Sequence, residues 1–479
     1  MSNTNRAASL QATLTPEVLE ALRSATSNEA VLTDAESRER YGADETEDLC
    51  FPPNAVIKPA NTQEVSAVMR ICHAHNIPVT PIGARTGLSG GALSVNGGVG
   101  LSLEKLNAIV EIDTRNHHVR VQPGVITQVL QETVAEHGLF YAVDPASRGT
   151  CTIGGNLAEN SGGPRAVKYG VTKDWVLNLE VVLPNGEVIH TGANTRKNST
   201  GYNLTQLMVG SEGTLGIITE ATLKLLPKPT ADVLLLIPFT SAEQACGAVA
   251  AIFQAGITPS ALEFMERDAL DWTLEHSDIT LTIPDEVGAH LLVELDGHHQ
   301  EVLMNEAERV LEVVEGFGAL EVLFADSAAQ KDNLWRLRRK VGEAVKAHSV
   351  YKEEDTVVPR YALPDLLCAV KAIGKRYGFK SVCYGHAGDG NLHINIIKGD
   401  LDDHTWNTEL PKAIRELFTQ TVALGGTLSG EHGIGWVQKG YMDVAFSPEE
   451  LTLMRAIKQV FDPTGILNPE KIFPDLSKT

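Results

Sequence analysis

Three glycine-rich, weakly charged segments in the first half of the chain constrain its fold more than any other feature. They read PIGARTGLSGGAL from Pro81, TIGGNLAENSGG from Thr152 and VGSEGTLGII from Val209. Closely spaced glycines let backbone N–H groups converge on one anion. A plain turn would explain any one segment, but three together favour a large, flat, phosphate-bearing cofactor held mostly by backbone. Neither the GxGxxG fingerprint nor the P-loop is matched, so we do not expect nucleotide hydrolysis.

The bulk properties narrow the class of protein. The chain has 479 residues and a net charge of −21, which argues against a nucleic-acid binder. Its length suggests two to four domains at about 150 residues each. Its six cysteines show no CxxC spacing, so neither an iron–sulfur cluster nor a disulfide framework is expected. Without a signal core or a long apolar stretch, we expect a cytoplasmic protein with no transmembrane segment. Peripheral membrane attachment and a homodimer stay open.

Hydrophobic periodicity predicts an α+β chain. We expect a helix from Thr15-Pro16, a helix capped by Thr62, a helix over Val125–His137, and a hairpin that turns at 184–186. Residues 144–169 lack periodicity and predict a long functional loop. Beyond Pro229, alternating strands and helices predict a sheet with helices on one face, and one long helix is expected over residues 330–348.

Two motifs in the last hundred residues carry chemistry. GHAGDGNLHIN places His386 and His393 across a glycine-rich turn, and SGEHGIG places Glu431 beside His432. Two imidazoles and a carboxylate suit zinc or manganese, and His432 is left as a candidate base. If the Glu431–His432 segment is extended, the two side chains face opposite sides. A hydrogen-bonded structural histidine would explain any single one of these residues, but not all four groups together.

These motifs, together with the tail GILNPEKIF, resemble the FAD-dependent D-2-hydroxyacid dehydrogenases, which have a vanillyl-alcohol-oxidase-type FAD fold. The family includes D-lactate dehydrogenases, D-2-hydroxyglutarate dehydrogenases and the flavin subunit of glycolate oxidase. The resemblance runs from about residue 48 to residue 474 and implies an α+β fold. It implies an N-terminal helical segment (1–47), a two-subdomain PCMH-type FAD-binding domain (48–228), an α+β cap domain with the metal site (229–440) and a C-terminal helical segment that returns to the FAD (441–479).

The resemblance also implies the residues that contact FAD. Some relatives attach FAD through a histidine in the first glycine loop, but this chain has Arg85 and Thr86 there, so we expect non-covalent FAD. The implied contacts are Pro81, Gly83, Arg85, Thr86, Gly87, Leu88, Ser89, Gly90, Asp144, Thr152, Gly154, Gly155, Asn156, Asn160, Gly163, Tyr169, Glu212, Gly213, Ile218 and Asn468.

The same resemblance assigns the metal and substrate residues. It implies that His386, His393 and Glu431 bind the divalent metal, zinc or manganese, and that His432 is the catalytic base. Arg338 and Lys352 would bind the substrate carboxylate, for which the arginine fork is suited. Asn391 would contact the substrate, or together with Asp389 would orient the imidazoles. Gly342 stands where the hydroxyglutarate enzymes place a threonine, four residues after the arginine, which speaks against a hydroxyglutarate-type pocket.

The implied reaction is oxidation of a D-2-hydroxy acid, such as D-lactate, to the 2-oxo acid. The base removes the hydroxyl proton while the hydrogen on C2 passes to flavin as hydride. The electrons then need an external acceptor: a quinone, a cytochrome or an electron-transfer flavoprotein. Glycolate and D-2-hydroxyglutarate are alternative substrates. A flavin-dependent, non-redox ether-lipid synthase and a metal-dependent hydrolase are alternatives from other classes.

Overall fold

Helices and strands alternate along the chain in an α+β architecture. A computed structural model describes residues 14–46 and 49–475. The strands are β1 (Val31–Leu32), β2 (Ala55–Ile57), β3 (Val79–Ile82), β4 (Val99–Ser102), β5 (Ile109–Asp113), β6 (His118–Val121), β7 (Leu139–Phe140), β8 (Val176–Val182), β9 (Val188–His190), β10 (Ile217–Lys224), β11 (Leu226–Pro227), β12 (Ala231–Phe239), β13 (Ala261–Glu266), β14 (Ala289–Gly297), β15 (Leu323–Ala325), β16 (Tyr351–Val357), β17 (Lys380–Gly385) and β18 (Asn391–Ile397). The α-helices are α1 (Pro16–Ala25), α2 (Ala35–Arg40), α3 (Thr62–Ala74), α4 (Thr127–Ala135), α5 (Ile153–Glu159), α6 (Ala166–Tyr169), α7 (Leu204–Met208), α8 (Ala242–Gln254), α9 (Arg267–Glu275), α10 (Gln300–Glu315), α11 (Ala328–Arg339), α12 (Val341–His348), α13 (Leu363–Tyr377), α14 (Leu410–Ala423), α15 (Met442–Ala445) and α16 (Pro448–Phe461).

The first sheet has four strands in the order β1-β2-β4-β3, and β4 runs parallel to both β2 and β3. Helices α1 and α3 cover it with a buried apolar cluster. Helix α1 begins as predicted, because the Thr15 side chain caps its first turn. The predicted cap of α3 was wrong by one residue. The Asn61 side chain, one position earlier than Thr62, accepts the backbone N–H of Glu64 at 2.9 Å.

The second sheet is antiparallel, in the order β5-β6-β10-β8-β9. The predicted hairpin joins β8 to β9, and Gly186 takes the positive φ that its turn requires. The prediction that residues 144–169 form a loop without secondary structure was wrong, because α5 and α6 lie within it. Ile153 and Leu157 are the two buried apolar residues of helix α5. Two apolar residues among glycines are too few to reveal a helical period.

The third sheet, of the cap region, has seven strands in the order β15-β12-β14-β13-β17-β18-β16. The expectation of helices on one face was wrong, since α8, α10, α13 and α14 cover one face and α9, α11 and α12 cover the other. Alternate residues of β12 enter the two clusters, for example Leu235 and Leu236. The long helix expected over residues 330–348 is two helices, α11 and α12, which meet at Lys340.

The C-terminal segment returns to the first sheet. After α16, the backbone N–H of Asn468 donates to the carbonyl of Val79 in β3 at 2.7 Å. The buried Lys471 ammonium donates to the carbonyl of Leu93 at 2.7 Å. The tail therefore lies beside the first glycine-rich segment, as the resemblance implied. Within the described ranges, none of the helices combines the length and apolar character that crossing a bilayer requires.

Candidate active site

The three glycine-rich segments line one cavity of about 710 Å³. Two glycines in its lining show that the cavity wall contains exposed backbone. A Cβ added at Gly87 would meet no atom within 4 Å, and one added at Gly155 would meet only the Thr152 hydroxyl, at 3.7 Å. Backbone is thus exposed to open space, which suits a phosphate-bearing cofactor that approaches closely. The residues present fit FAD.

Most of the residues implied to contact FAD line this cavity. Those in the lining are Pro81, Gly83, Arg85, Thr86, Gly87, Leu88, Thr152, Gly154, Gly155, Asn156, Glu212, Gly213 and Ile218. Those that lie outside the lining are Ser89, Gly90, Asp144, Asn160, Gly163, Tyr169 and Asn468.

Three of the residues outside the lining, Asp144, Tyr169 and Asn468, make polar contacts with neighbouring parts of the chain. The Asp144 carboxylate lies 3.3 Å from the Arg339 guanidinium of α11, and the Tyr169 hydroxyl donates to Asp296 of β14 at 2.8 Å. The Asn468 amide donates to the carbonyl of Glu212 at 2.7 Å. These contacts link Asp144 to α11 and Tyr169 to β14, and they link the tail to the third glycine-rich segment.

The two predicted metal-binding histidines converge on one carboxylate. His386 follows β17 and His393 lies in β18, which pairs antiparallel with β17. Oε1 of Glu431 lies 3.2 Å from His386 Nε2 and 3.6 Å from His393 Nε2. The three ligand atoms lie within 4.8 Å of one another. This set of two imidazoles and a carboxylate fits a borderline divalent ion.

A buried carboxylate orients the His386 imidazole through a hydrogen bond, and a second carboxylate lies beside His393, whose Nδ1 atom has no hydrogen-bond partner among the described residues. His386 Nδ1 lies 2.8 Å from the carboxylate of Glu263 in β13, and His393 Nδ1 lies 3.5 Å from Glu353 in β16. Each carboxylate faces the Nδ1 atom, which leaves Nε2 directed toward Glu431. A carboxylate on the far ring nitrogen is the usual way to fix the orientation of a metal-binding histidine.

The loop that carries Glu431 and His432 is bound by Asp355 of β16. One Asp355 oxygen accepts the backbone N–H groups of Gly430, Glu431 and His432 at 2.8, 2.7 and 2.9 Å. The loop is therefore not extended, and its two functional side chains do not face opposite sides. His432 Nε2 lies 4.0 Å from Glu431 Oε1, and the His432 ring stacks on His393 at 5.2 Å.

Asn391 has a supporting place in this arrangement. Its amide donates to the second oxygen of Asp355 at 2.6 Å and to the carbonyl of Thr356 at 3.0 Å. These two contacts are to Asp355 and to backbone, and neither is to an imidazole, so a role of Asn391 toward substrate or imidazole stays a prediction. Asp389 lies at the turn between β17 and β18, where burial raises the pKa of its carboxyl to about 7.

The same loop also contacts the cofactor cavity. The Glu212 carboxylate, which lines the cavity, accepts the backbone N–H groups of Ile434 and Gly435 at 2.8 and 2.6 Å. Glu431 and His432 themselves line the cavity. The candidate base and a candidate metal ligand therefore lie beside the space that fits FAD.

Burial and the neighbouring carboxylates shift the pKa values of the three imidazoles and of Glu431 in different directions. Burial lowers the pKa of His386, but the carboxylates of Glu263 and Glu431 raise it, to about 10. Burial acts against the charged form of Glu431 too, but His386 keeps its carboxyl pKa well below the ordinary range. Burial opposes the charged form of His432, yet Asp355 raises its pKa. Burial lowers the pKa of His393 to about 3.

Arg338 and Lys352, the predicted carboxylate-binding pair, lie in different places. Arg338 is buried, its guanidinium lies 2.7 Å from Glu263, and its Nε atom has no hydrogen-bond partner among the described residues. Lys352 points to the opposite face of the cap sheet, 5.6 Å from the Trp406 ring centroid. Since side chains alternate along a strand, its neighbour Glu353 faces the histidines instead. The structure does not bring Lys352 to the site.

Sequence reasoning missed three acidic residues of the site: Glu263, Glu353 and Asp355. One signal was available for Glu263, which is a charge within ALEFME, a strand buried throughout. A carboxylate in a buried strand is rarely left unpaired, so such a residue marks a polar site. Nothing near Asp355 in the sequence indicates that it would bind a loop 75 residues later.

Comparisons with known proteins agree with this geometry. The FAD binding domain model matches residues 53–192, and the model of FAD linked oxidases, C-terminal domain, matches residues 228–472. The chain is 41% identical to a D-lactate dehydrogenase of Anaerostipes hadrus, with 88% of this chain and 89% of the relative covered. It is 35% identical to a D-2-hydroxyglutarate dehydrogenase of Stutzerimonas stutzeri, with 96% and 99% covered.

A solved structure shares the fold. p-Cresol methylhydroxylase with substrate bound superimposes with a TM-score of 0.79 at 18% identity, over 96% of this chain and 97% of the other. The family models cover most of the chain, and the relatives span nearly its whole length. The chain therefore belongs to the family of FAD-linked oxidases and is an FAD-binding oxidoreductase.

Proposed function

We propose that the protein oxidises a D-2-hydroxy acid to the 2-oxo acid. One observation carries the proposal: Glu431 and His432 line the FAD cavity and also belong to the cluster formed with His386 and His393. A hydroxyl placed there would meet a base and a cation-binding centre beside the flavin. The names of the relatives, D-lactate dehydrogenase and D-2-hydroxyglutarate dehydrogenase, support the same class of substrate.

Each polar group has a role in this proposal. Arg338 binds the substrate carboxylate through its unpartnered Nε and its remaining N–H groups. His432 removes the hydroxyl proton, and the nearby carboxylates of Asp355 and Glu353 stabilise the imidazolium that results. Glu212 holds the backbone of the loop that carries His432.

His386, His393 and Glu431 would hold a zinc or manganese ion. When bound, that ion supplies a Lewis acid that lowers the hydroxyl pKa, and FAD supplies the hydride acceptor. We expect the flavin to be held without a covalent bond, since Arg85 and Thr86 stand in the first glycine-rich segment, where some relatives attach FAD through a histidine. The substrate is a small hydroxy acid, and the electrons leave to an external quinone, cytochrome or electron-transfer flavoprotein.

Anaerobic reduction of the bound flavin tests the proposal. The D-isomer of at least one 2-hydroxy acid should bleach the visible band of oxidised FAD, and its L-isomer should not. His432→Asn should retain FAD and lose at least about 100-fold in the rate of flavin reduction, the size of a typical general-base contribution. Failure of every 2-hydroxy acid to reduce the flavin, or fast reduction in the variant, would overturn the proposal.

A further inference from the structure

Glu159 places a carboxyl group in the wall of the cavity that fits FAD. It is the last residue of α5, and it lines the cavity together with Glu212, Glu431 and His432. Its Oε2 atom is buried and has no hydrogen-bond partner among the described residues. Because an unpaired buried oxygen is costly, its place in this wall favours a partner on the bound cofactor.

Two glycines approach the Glu159 carboxyl closely. A Cβ added at Gly433 would collide with Glu159 Oε2, and a Cβ added at Gly91 would lie 3.1 Å from Oε1. Gly91 belongs to the first glycine-rich segment, and Gly433 directly follows His432 in the chain. The carboxyl therefore lies at the end of the cavity where the candidate base lies.

A second carboxyl group, that of Glu212, faces the same glycine. A Cβ at Gly433 would lie 3.1 Å from Glu212 Oε1. The Glu212 carboxylate accepts the backbone N–H groups of Ile434 and Gly435, whereas Glu159 Oε2 accepts from no described residue. Of two neighbouring carboxyls, the one without donors keeps the proton, because hydrogen bonds favour the charged form of the other.

The other charged groups that bear on this pair are Asp44 and Lys471, which lie outside the cluster of histidines. Burial first, and then the charges of Glu212 and Asp44, raise the pKa of Glu159 well above its ordinary range. The Lys471 charge acts on Glu212 and Asp44, and its ammonium donates to a backbone carbonyl and to an amide oxygen. Glu159 is therefore uncharged, and its carboxyl carries an O–H donor.

We infer that Glu159 is a further cofactor-binding residue, whose uncharged carboxyl donates a hydrogen bond to the redox-active end of FAD. Two-electron reduction adds negative charge to the flavin, and nearby hydrogen bonds and charges tune its electronics. A neutral donor favours the reduced form, whereas a carboxylate would disfavour it. The inference relies on the proposed placement of the flavin beside His432, but not on the identity of the substrate.

The midpoint potential of the bound flavin, measured electrochemically without substrate, tests both the contact and its charge. Glu159→Ala removes the donor and should weaken binding of reduced FAD relative to oxidised FAD about tenfold, a fall of about 30 mV for a two-electron couple. Glu159→Gln keeps an uncharged donor of similar shape and should change that ratio by less than about threefold. If Glu159 were charged, the same variant would raise the potential.

Infrared difference spectra between the oxidised and reduced holoenzyme detect a protonated carboxyl directly. We expect a carboxylic-acid C=O band that shifts in deuterated water and is lost in Glu159→Gln. Glu104→Gln is the matched control, since Glu104 also lines the cavity but its carboxylate pairs with Lys58 at 2.8 Å. The band should remain in that variant.

Three results would each overturn the inference: a higher potential in Glu159→Gln, an unchanged potential in Glu159→Ala, or the absence of the band. Loss of FAD binding in Glu159→Gln would overturn it as well, because the amide keeps both the shape and a donor. Should Glu159→Ala fail to bind FAD, the band and the potential of Glu159→Gln decide. If no 2-hydroxy acid reduces the flavin, the proposed function fails, and these substrate-free measurements still test Glu159.

Discussion

At the scale of single residues, Glu263 is the group on which the site most depends. It is fully buried and pairs at once with His386 at 2.8 Å and with Arg338 at 2.7 Å. Removal of one partner of a buried ion pair leaves an uncompensated charge. We expect Glu263→Ala to lower the free energy of unfolding by about 3–5 kcal/mol in urea denaturation of the apoprotein.

A surface glutamate provides the control for that measurement. Glu301→Ala, on the exposed side of α10, should change the free energy of unfolding by less than about 0.5 kcal/mol. Equal stability of the Glu263 and Glu301 variants would show that the Glu263 contacts do not stabilise the fold. Glu263→Gln keeps the shape of the side chain and separates loss of charge from loss of packing.

Protonation of the buried His290 should make the free energy of unfolding depend on pH. It lies buried in β14, where burial, and then the Arg267 charge, lower its pKa to about 4. The unfolded chain has a histidine pKa of about 6.5, so between pH 4 and 6.5 the unfolded state binds more protons. Its contribution to the free energy of unfolding should therefore rise by about 3 kcal/mol from pH 4 to pH 6.5, and be lost as the pH falls again.

The difference between wild type and His290→Gln isolates this contribution from the other titrating groups. Denaturation curves at several pH values should show a steeper acid loss of stability in the wild type than in the variant. Parallel curves across pH 4–6.5 would contradict the buried, uncharged state of His290.

At the scale of elements, Gly155 of α5 is both a residue of the helix and part of the wall of the cavity that fits FAD. Gly155 lies inside the helix and lines the cavity, and an added Cβ would meet only the Thr152 hydroxyl, at 3.7 Å. In the apoprotein, Gly155→Ala should be neutral or stabilising by about 0.5–1 kcal/mol, as for alanine in place of a helical glycine. Its methyl group should nevertheless weaken FAD binding at least about tenfold, or 1.4 kcal/mol.

Titration of apoprotein with FAD, followed by flavin fluorescence, measures that loss. Gly440→Ala is the control, since a Cβ there would meet no atom within 4 Å and Gly440 is not among the residues that line the cavity. Wild-type affinity in both variants would mean that α5 does not face the cofactor. Reduced stability of the Gly155 variant without FAD would point to a packing defect instead.

Local pattern predicted some elements and not others, for physical reasons. The turn that brings His386 and His393 together was predictable, because glycines between two short strands specify a hairpin-like return. The face of Lys352 was not predictable, because KEED gives no apolar alternation from which to read the pleat of β16. The break between α11 and α12 at Lys340 carries no proline or glycine signal before it.

At the scale of the whole molecule, the site forms where distant parts of the chain meet. Asp355 of the cap sheet and Glu212 of the cavity wall hold the two ends of the 430–435 loop. Sequence analysis predicted the family and the fold class from the order of the motifs. It could not predict the contacts of these two carboxylates with the loop, since their partners lie 75 and 222 residues away and are backbone N–H groups.

The 430–435 loop is bound by both the FAD-binding half and the cap half of the chain. Because Asp355 and Glu212 bind the same stretch of backbone, the position of His432 relative to the cavity depends on both halves at once. The Asp144–Arg339 ion pair at 3.3 Å adds a second link, through α11, the helix that also carries Arg338. In the proposed function, contacts from both halves of the chain position the candidate base His432 beside the cavity that fits FAD.

Removal and return of a divalent metal, followed by anaerobic flavin reduction, test the central claim most directly. After exhaustive dialysis against EDTA, with metal content measured, FAD should remain bound and reduction by a D-2-hydroxy acid should slow by at least about 100-fold. Zinc or manganese should restore the rate in wild type but not in Glu431→Gln, in which a ligand charge is lost. An unchanged rate of flavin reduction in the metal-free protein would contradict the account.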